Sequence, residues 1–85
     1  MPSELEDERL LRGLSPGRRA EIELETDGVL DDVFPGEPRD AAIYERAAAE
    51  LDVSADAYDG GPEEARLVAA GMRARARRLR SSPRS

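Results

Sequence analysis

The sequence contains no cysteine, lysine, histidine, asparagine, glutamine or tryptophan. Without cysteine the chain cannot gain stability from disulfide bonds, and it is compatible with a reducing cytoplasm. Without histidine, cysteine and lysine it lacks the usual general bases and nucleophiles of enzymes. It also has no glycine-rich phosphate-binding loop. We therefore expect a protein that is not an enzyme and that uses no cofactor or small-molecule substrate.

Long apolar runs are also missing. No stretch approaches the roughly 18 apolar residues of a membrane span. The segment from Met1 to Glu8 is acidic, whereas an export signal is basic and then apolar. These features predict a cytoplasmic protein that does not bind membranes.

Large apolar side chains are few: the 85 residues include one Phe and two Tyr, and alanine makes up much of the apolar content. Alanine buries little area per residue, and a chain of this length supports one core. We expect a single small acidic domain over residues 1–80, with a frayed tail at 81–85. Such a core gives marginal stability, so we expect the fold to be completed by self-association or by a protein partner.

Charge is abundant and unevenly distributed. The chain has 19 acids and 13 arginines and a net charge of −6, yet residues 71–85 contain six of the arginines and no acid. Such an asymmetry indicates an interaction partner. The candidate residues for partner or anion binding are Arg66, Arg73, Arg77, Arg80 and Arg84. They could pair with acids of this chain, with an acidic protein, or with a nucleic-acid backbone.

Local signals predict three helices directly. Ser3 and Glu6 have capping-box spacing and predict a helix from Glu4 to Arg12. After the proline-rich break at 35–38, a helix is expected from Arg39 or Asp40 to Leu51. Another begins at Pro62, with acids at its positive end, and runs to about Arg80. The chain should be an all-α bundle of three to four short helices whose C-terminal helix is amphipathic and arginine-rich.

Residues 21–34 are ambiguous. Strict alternation from Glu21 to Thr26 before Asp27-Gly28 favours a β-hairpin, which would make the fold α+β. Ile22, Thr26, Leu30 and their neighbours also follow helical spacing. Ser15-Pro16 is a helix start signal. We favour a helix, broken or kinked near Gly28.

The apolar stripes of the last two helices should pack together. Their small residues allow close approach but supply little core. The predicted packing or interface residues are Tyr44, Leu51, Val68, Met72 and Leu79.

Two loop segments resemble known binding motifs, but each departs from its motif at residues that the function requires. Residues 47–54 are similar to the helix-turn junction of helix-turn-helix repressors, but residues 55–61 offer no cation to a phosphate. Asp52, Ser54, Asp56 and Glu63 have the spacing of a degenerate EF-hand loop, with Ala57 where the sharp turn needs glycine. Asp52, Asp56 and Glu63 are thus only weak metal candidates, and no metal site is expected.

The best functional hypothesis is a non-catalytic protein-interaction module: an adaptor, a regulator or a small assembly component. The first alternative is a nucleic-acid-associated regulator that uses the arginine-rich C-terminal helix. The second is a weak divalent-cation site in the loop at 52–63.

The acidic balance without lysine resembles the composition of cytosolic proteins from salt-loving microbes, although GC-rich coding also produces an arginine-only cation set. If salt adaptation is the cause, helicity and the thermal midpoint should rise toward molar salt, as measured by circular dichroism. Maximal structure at low ionic strength would contradict that interpretation.

Overall fold

The computed structural model describes residues 4–81, and most of these residues are helical. The helices are α1 (Glu4–Arg12), α2 (Pro16–Val33), α3 (Ala41–Val53) and α4 (Pro62–Ser81), with a short 3₁₀ helix at Ala55–Ala57. Over residues 4–81 there is no strand, which confirms the all-α prediction and makes the alternative hairpin at 21–34 wrong. The predicted Ser3 cap and the predicted tail from residue 82 onward lie outside the described residues.

Local capping fixes where α2 and α3 begin. The Ser15 side chain accepts a hydrogen bond from the Arg18 backbone N–H at 3.2 Å, and Pro16 follows it at the start of α2. The Asp40 carboxylate accepts from the Ile43 N–H at 3.0 Å and caps α3. The Ser15-Pro16 signal therefore corresponds to a real helix start, and α3 begins one residue after Asp40.

The middle of α2 differs from the prediction, because the helix continues through Gly28 without a break. Ile22, Thr26 and Leu30, spaced four residues apart, are all buried. Both halves of α2 are thus held on one face by the core, which outweighs the roughly 1 kcal/mol that glycine costs inside a helix.

The central element is α4, which packs against α1, α2, α3 and the 3₁₀ helix. Its fully buried side chains are mostly small, namely Ala65, Val68, Ala69, Ala70, Met72 and Ala76. Small side chains let neighbouring helices approach closely. None of the helices within residues 4–81 is both long and apolar enough to cross a membrane.

The contact between α3 and α4 forms most of the core. Tyr44, Leu51, Val68 and Met72 lie in one cluster of buried residues. Leu79 differs from the prediction, because its side chain remains 42% exposed. It lies in the last turn of α4, where the helix end has fewer neighbours to cover it.

We predict that Met72→Asp unfolds the domain, whereas Leu79→Asp in the same helix has a small effect. Truncating a buried methionine costs about 2–5 kcal/mol, and a buried, unpaired carboxylate adds to that loss. Circular dichroism through a urea titration measures both variants. Equal midpoints for Met72→Asp and Leu79→Asp would contradict the assigned core.

Candidate functional site

A buried carboxylate joins α1 to α4. Asp7 is 1% exposed and receives two hydrogen bonds from Arg73, from Nε to Oδ2 at 2.8 Å and from Nη2 to Oδ1 at 2.9 Å. Arg77 Nη1 donates to Asp7 Oδ2 at 3.3 Å. The hydrogen bonds to Asp7 also raise the pKa of Arg73. Two guanidinium groups thus compensate one desolvated carboxylate.

Further ion pairs join α4 to α3. Arg73 Nη1 also donates to Asp52 Oδ2 at 2.8 Å. One turn from the start of α3, Glu45 accepts two hydrogen bonds from Arg80, from Nη2 at 2.6 Å and from Nε at 3.1 Å. Pairing Asp52 with Arg73 and Glu45 with Arg80 shows that α3 and α4 run antiparallel.

These ion pairs show which of the arginines predicted to bind a partner are already paired within the chain. Arg73, Arg77 and Arg80 are engaged by acids of the same chain. Arg66 is exposed and has no ion pair within residues 4–81, and Arg84 lies outside the described residues. The predicted set therefore does not form one open anion-binding face.

A groove between α1, α2 and α4 collects a different set of arginines. It encloses about 470 Å³. Its floor includes Leu11, Ile22, Gly71 and Ala74, and two glutamates, Glu8 and Glu23, lie on its walls. Five arginines also line it: Arg12, Arg19, Arg75, Arg77 and Arg78. We call this site the arginine groove; its lining charge is +3, whereas the whole chain carries −6.

The groove arginines differ in how strongly they are neutralised. Arg78 is exposed and has no ion pair within the described part of the chain. Arg19 donates to the neutral Leu11 carbonyl oxygen at 3.1 Å and 3.3 Å, which leaves its positive charge uncompensated. These two side chains are therefore the most available to a ligand.

Two other arginines of the groove, Arg12 and Arg75, form long ion pairs with exposed glutamates. Arg12 lies 3.8 Å from Glu8, and Arg75 lies 3.7 Å from Glu23; all four side chains are substantially exposed. Exposed pairs of this kind contribute about 0–1 kcal/mol, so a ligand carboxylate can replace the glutamate. Arg75 is also held over the Tyr44 ring, 5.7 Å from its centroid, which orients the guanidinium.

A second polar cluster, away from the arginine groove, ties α2 to the start of α4. Burial raises the pKa of Glu25, and its hydrogen bond with Glu64 raises it further. The pKa of Glu64 is lowered, first by that same hydrogen bond and also by Arg18, with which it pairs. Tyr58 donates to Glu25 Oε1 at 3.0 Å, and burial followed by this bond raises the pKa of Tyr58 to about 12. Each of these polar side chains has a hydrogen-bond partner within the cluster, which is typical of a cluster that stabilises the fold.

The structure places the residues of the two loop motifs at 45–63 as follows. Between α3 and α4 the chain makes only the 3₁₀ turn at Ala55–Ala57, so residues 55–61 do not form the helix that would enter a nucleic-acid groove. Asp52, Asp56 and Glu63 do not come together as a metal-binding group within residues 4–81. The reason is visible at Asp52, whose carboxylate is taken by Arg73.

No protein-family model matches this chain, and no curated protein and no solved structure matches it significantly.

The sequence predictions omit Arg12, Arg19, Arg75 and Arg78, which form most of the groove's charge. A signal for part of the groove exists on α4, because Gly71, Ala74, Arg75 and Arg78 follow the spacing i, i+3, i+4, i+7 of one helical face. That face is small and basic, not apolar. No local pattern predicts that α1 and α2 add Arg12 and Arg19 to it.

We predict that Asp7→Asn destabilises the protein by about 3 kcal/mol, because the partly buried Arg77 loses its ion-pair partner and Arg73 keeps only its pair with Asp52. Chemical denaturation measures the loss. Glu45→Gln is the matched control, since it also removes a carboxylate paired with an α4 arginine but at an exposed position. It should cost much less. Equal losses in the two variants would contradict the central role of Asp7.

Proposed function

We propose that this protein is a non-catalytic protein-interaction module, an adaptor, regulator or small assembly component, and that the arginine groove is its binding site. The observation that carries the proposal is a groove with a +3 lining on a molecule of net charge −6. Surface acids are expected by composition, but five arginines converging from three helices on one concave apolar floor are not. Concave sites with an apolar floor and a few convergent polar groups are typical binding sites.

The chemistry of the groove favours binding over catalysis. Arginine remains protonated at any physiological pH and has no acceptor atom, so it cannot serve as a general base. The remaining titratable groups of the lining are Glu8 and Glu23, which are exposed beside Arg12 and Arg75. Such a site can hold an anionic ligand but has no activated group to transform it.

A protein partner is better supported than a nucleic acid. No aromatic side chain lines the groove in residues 4–81, so bases have no stacking surface. A duplex carries one charge per about 1.7 Å and would extend past the groove over acidic surface. A second copy is also a poorer ligand than a different protein, because two chains of −6 repel each other.

The test is a selection of random displayed peptides on the immobilised protein, with two single-residue variants. Arg78 and Arg66 are both exposed α4 arginines without an ion pair in the described residues, but only Arg78 lines the groove. We expect enriched peptides that lose binding to Arg78→Glu and keep binding to Arg66→Glu.

Three outcomes separate the alternatives. Failure to enrich any peptide, or binding that is insensitive to Arg78→Glu, would overturn the proposal. DNA or RNA binding at low salt that Arg78→Glu abolishes would favour the nucleic-acid alternative instead. Sedimentation velocity checks the second copy: a dimer that Arg78→Glu dissociates and Arg66→Glu retains would support the module with another copy as its ligand.

A further inference from the structure

We infer that the ligand of the arginine groove is an acidic amphipathic helix of a partner protein. The inference rests on the proposed function and specifies its ligand. The inference depends on three properties of the groove. Its floor is apolar, the arginines along its edges can pair with a ligand, and it lies between helices.

The floor suits a row of apolar side chains. Gly71 has no side chain, and a Cβ built there would lie 3.1 Å from Ile22 Cγ2, closer than ordinary contact. The neighbouring lining residue on α4, Ala74, is also small. The missing side chain thus lets Ile22 of α2 pack directly against α4, and the apolar atoms that remain accessible in the floor belong to the half-buried Leu11, Gly71 and Ala74. An amphipathic helix places its apolar residues in such a groove at i, i+3, i+4 and i+7.

The rim suits carboxylates on both sides of that apolar row. Arg12 and Arg19 come from the α1–α2 side, and Arg75 and Arg78 come from α4. A helix lying along the floor would therefore meet arginines on each flank. Pairing its carboxylates with Arg78 and Arg19 requires no existing ion pair to break, and pairing with Arg12 or Arg75 displaces only an exposed glutamate.

The shape of the site selects a helix over an extended peptide. An extended peptide binds by adding a strand to a sheet edge or, when it is proline-rich, by docking on aromatic side chains; the described residues contain no strand, and none of the groove-lining residues is aromatic. The α4 part of the lining runs from Gly71 to Ser81, which corresponds to about 15 Å of helix axis. About three turns of a ligand helix cover this length. The ligand is thus a short segment whose charge stays within the groove and away from the acidic surface.

The test uses a fluorescein-labelled peptide of about 15 residues, long enough to form a helix, with leucines at i, i+3, i+4 and i+7 and glutamates on the flanks. Fluorescence anisotropy measures its binding to the full chain. We expect Arg78→Glu to weaken binding by about tenfold or more, because a charge-assisted hydrogen bond is replaced by repulsion. Arg66→Glu, the control on the same helix, should change binding by no more than about twofold.

Two control peptides separate charge from apolar contact. Replacing every glutamate by glutamine removes the charges, and replacing every leucine by alanine removes the apolar row. Each should weaken binding by about tenfold or more. Circular dichroism verifies that both protein variants keep their helicity, which is expected because Arg66 and Arg78 are exposed and unpaired within the described chain.

The outcomes distinguish this inference from the proposed function. If the acidic peptide fails to bind, or if the glutamine peptide binds equally well, the ligand is not an acidic helix. The proposed function would still stand if displayed peptides of another kind bound in an Arg78-dependent manner. If neither the acidic peptide nor any displayed peptide depends on Arg78, both the inference and the proposed function are wrong.

Discussion

The structure depends on the buried carboxylate of Asp7. Helix α1 contributes little to the apolar core: Leu5 is 71% exposed, Leu10 is 36% exposed, and Asp7 is itself the buried side chain of this helix. A charge is buried at low cost only when it is paired and fully hydrogen-bonded, and Arg73 and Arg77 meet that condition. This contact holds α1 on α4, and Leu11, one turn further along α1, becomes part of the groove floor. The α1 side of the arginine groove is therefore held in place by an ion pair that substitutes for missing apolar contacts.

Arginine, and not merely positive charge, makes this arrangement possible. The single Arg73 guanidinium donates to both oxygens of Asp7 and, through its remaining donors, to Asp52, so it joins α1, α3 and α4 at one point. A lysine ammonium offers a point charge without the planar fork needed for this geometry. The small buried residues of α4, such as Ala69 and Ala76, bring the neighbouring helices close enough for such contacts. The small core residues of α4 thus both limit the apolar packing and allow the guanidinium hydrogen bonds that supplement it.

The sequence predicts the helices better than it predicts the site, because helix starts are local and the site is not. Ser15 and Asp40 bond to backbone groups three residues away, so each of these helix starts is determined by residues that are close in sequence. The helix over residues 21–34 follows from the burial of Ile22, Thr26 and Leu30, although alternation there equally allows a strand. Asp7 and Arg73, in contrast, are 66 residues apart, and nothing near either residue marks the other as its partner. For the same reason, the spacing of the α4 arginines could not separate inward-facing Arg73 from groove-lining Arg78.

The net charge of the chain and the local charge of the groove have opposite signs, which favours some ligands over others in the binding that we propose. At physiological ionic strength, charges interact over about 8 Å, so an anion far from the groove encounters mainly the acids that give the chain its net −6. Within the groove the lining carries a charge of +3, and Arg19 and Arg78, which have no ion pair within the described residues, lie beside the apolar floor of Leu11 and Ala74. A long polyanion would contact both the groove and the acidic surface around it, so its net electrostatic attraction would be small. A compact anionic surface with an apolar stripe gains from the groove alone, because its charges end where the acidic surface begins.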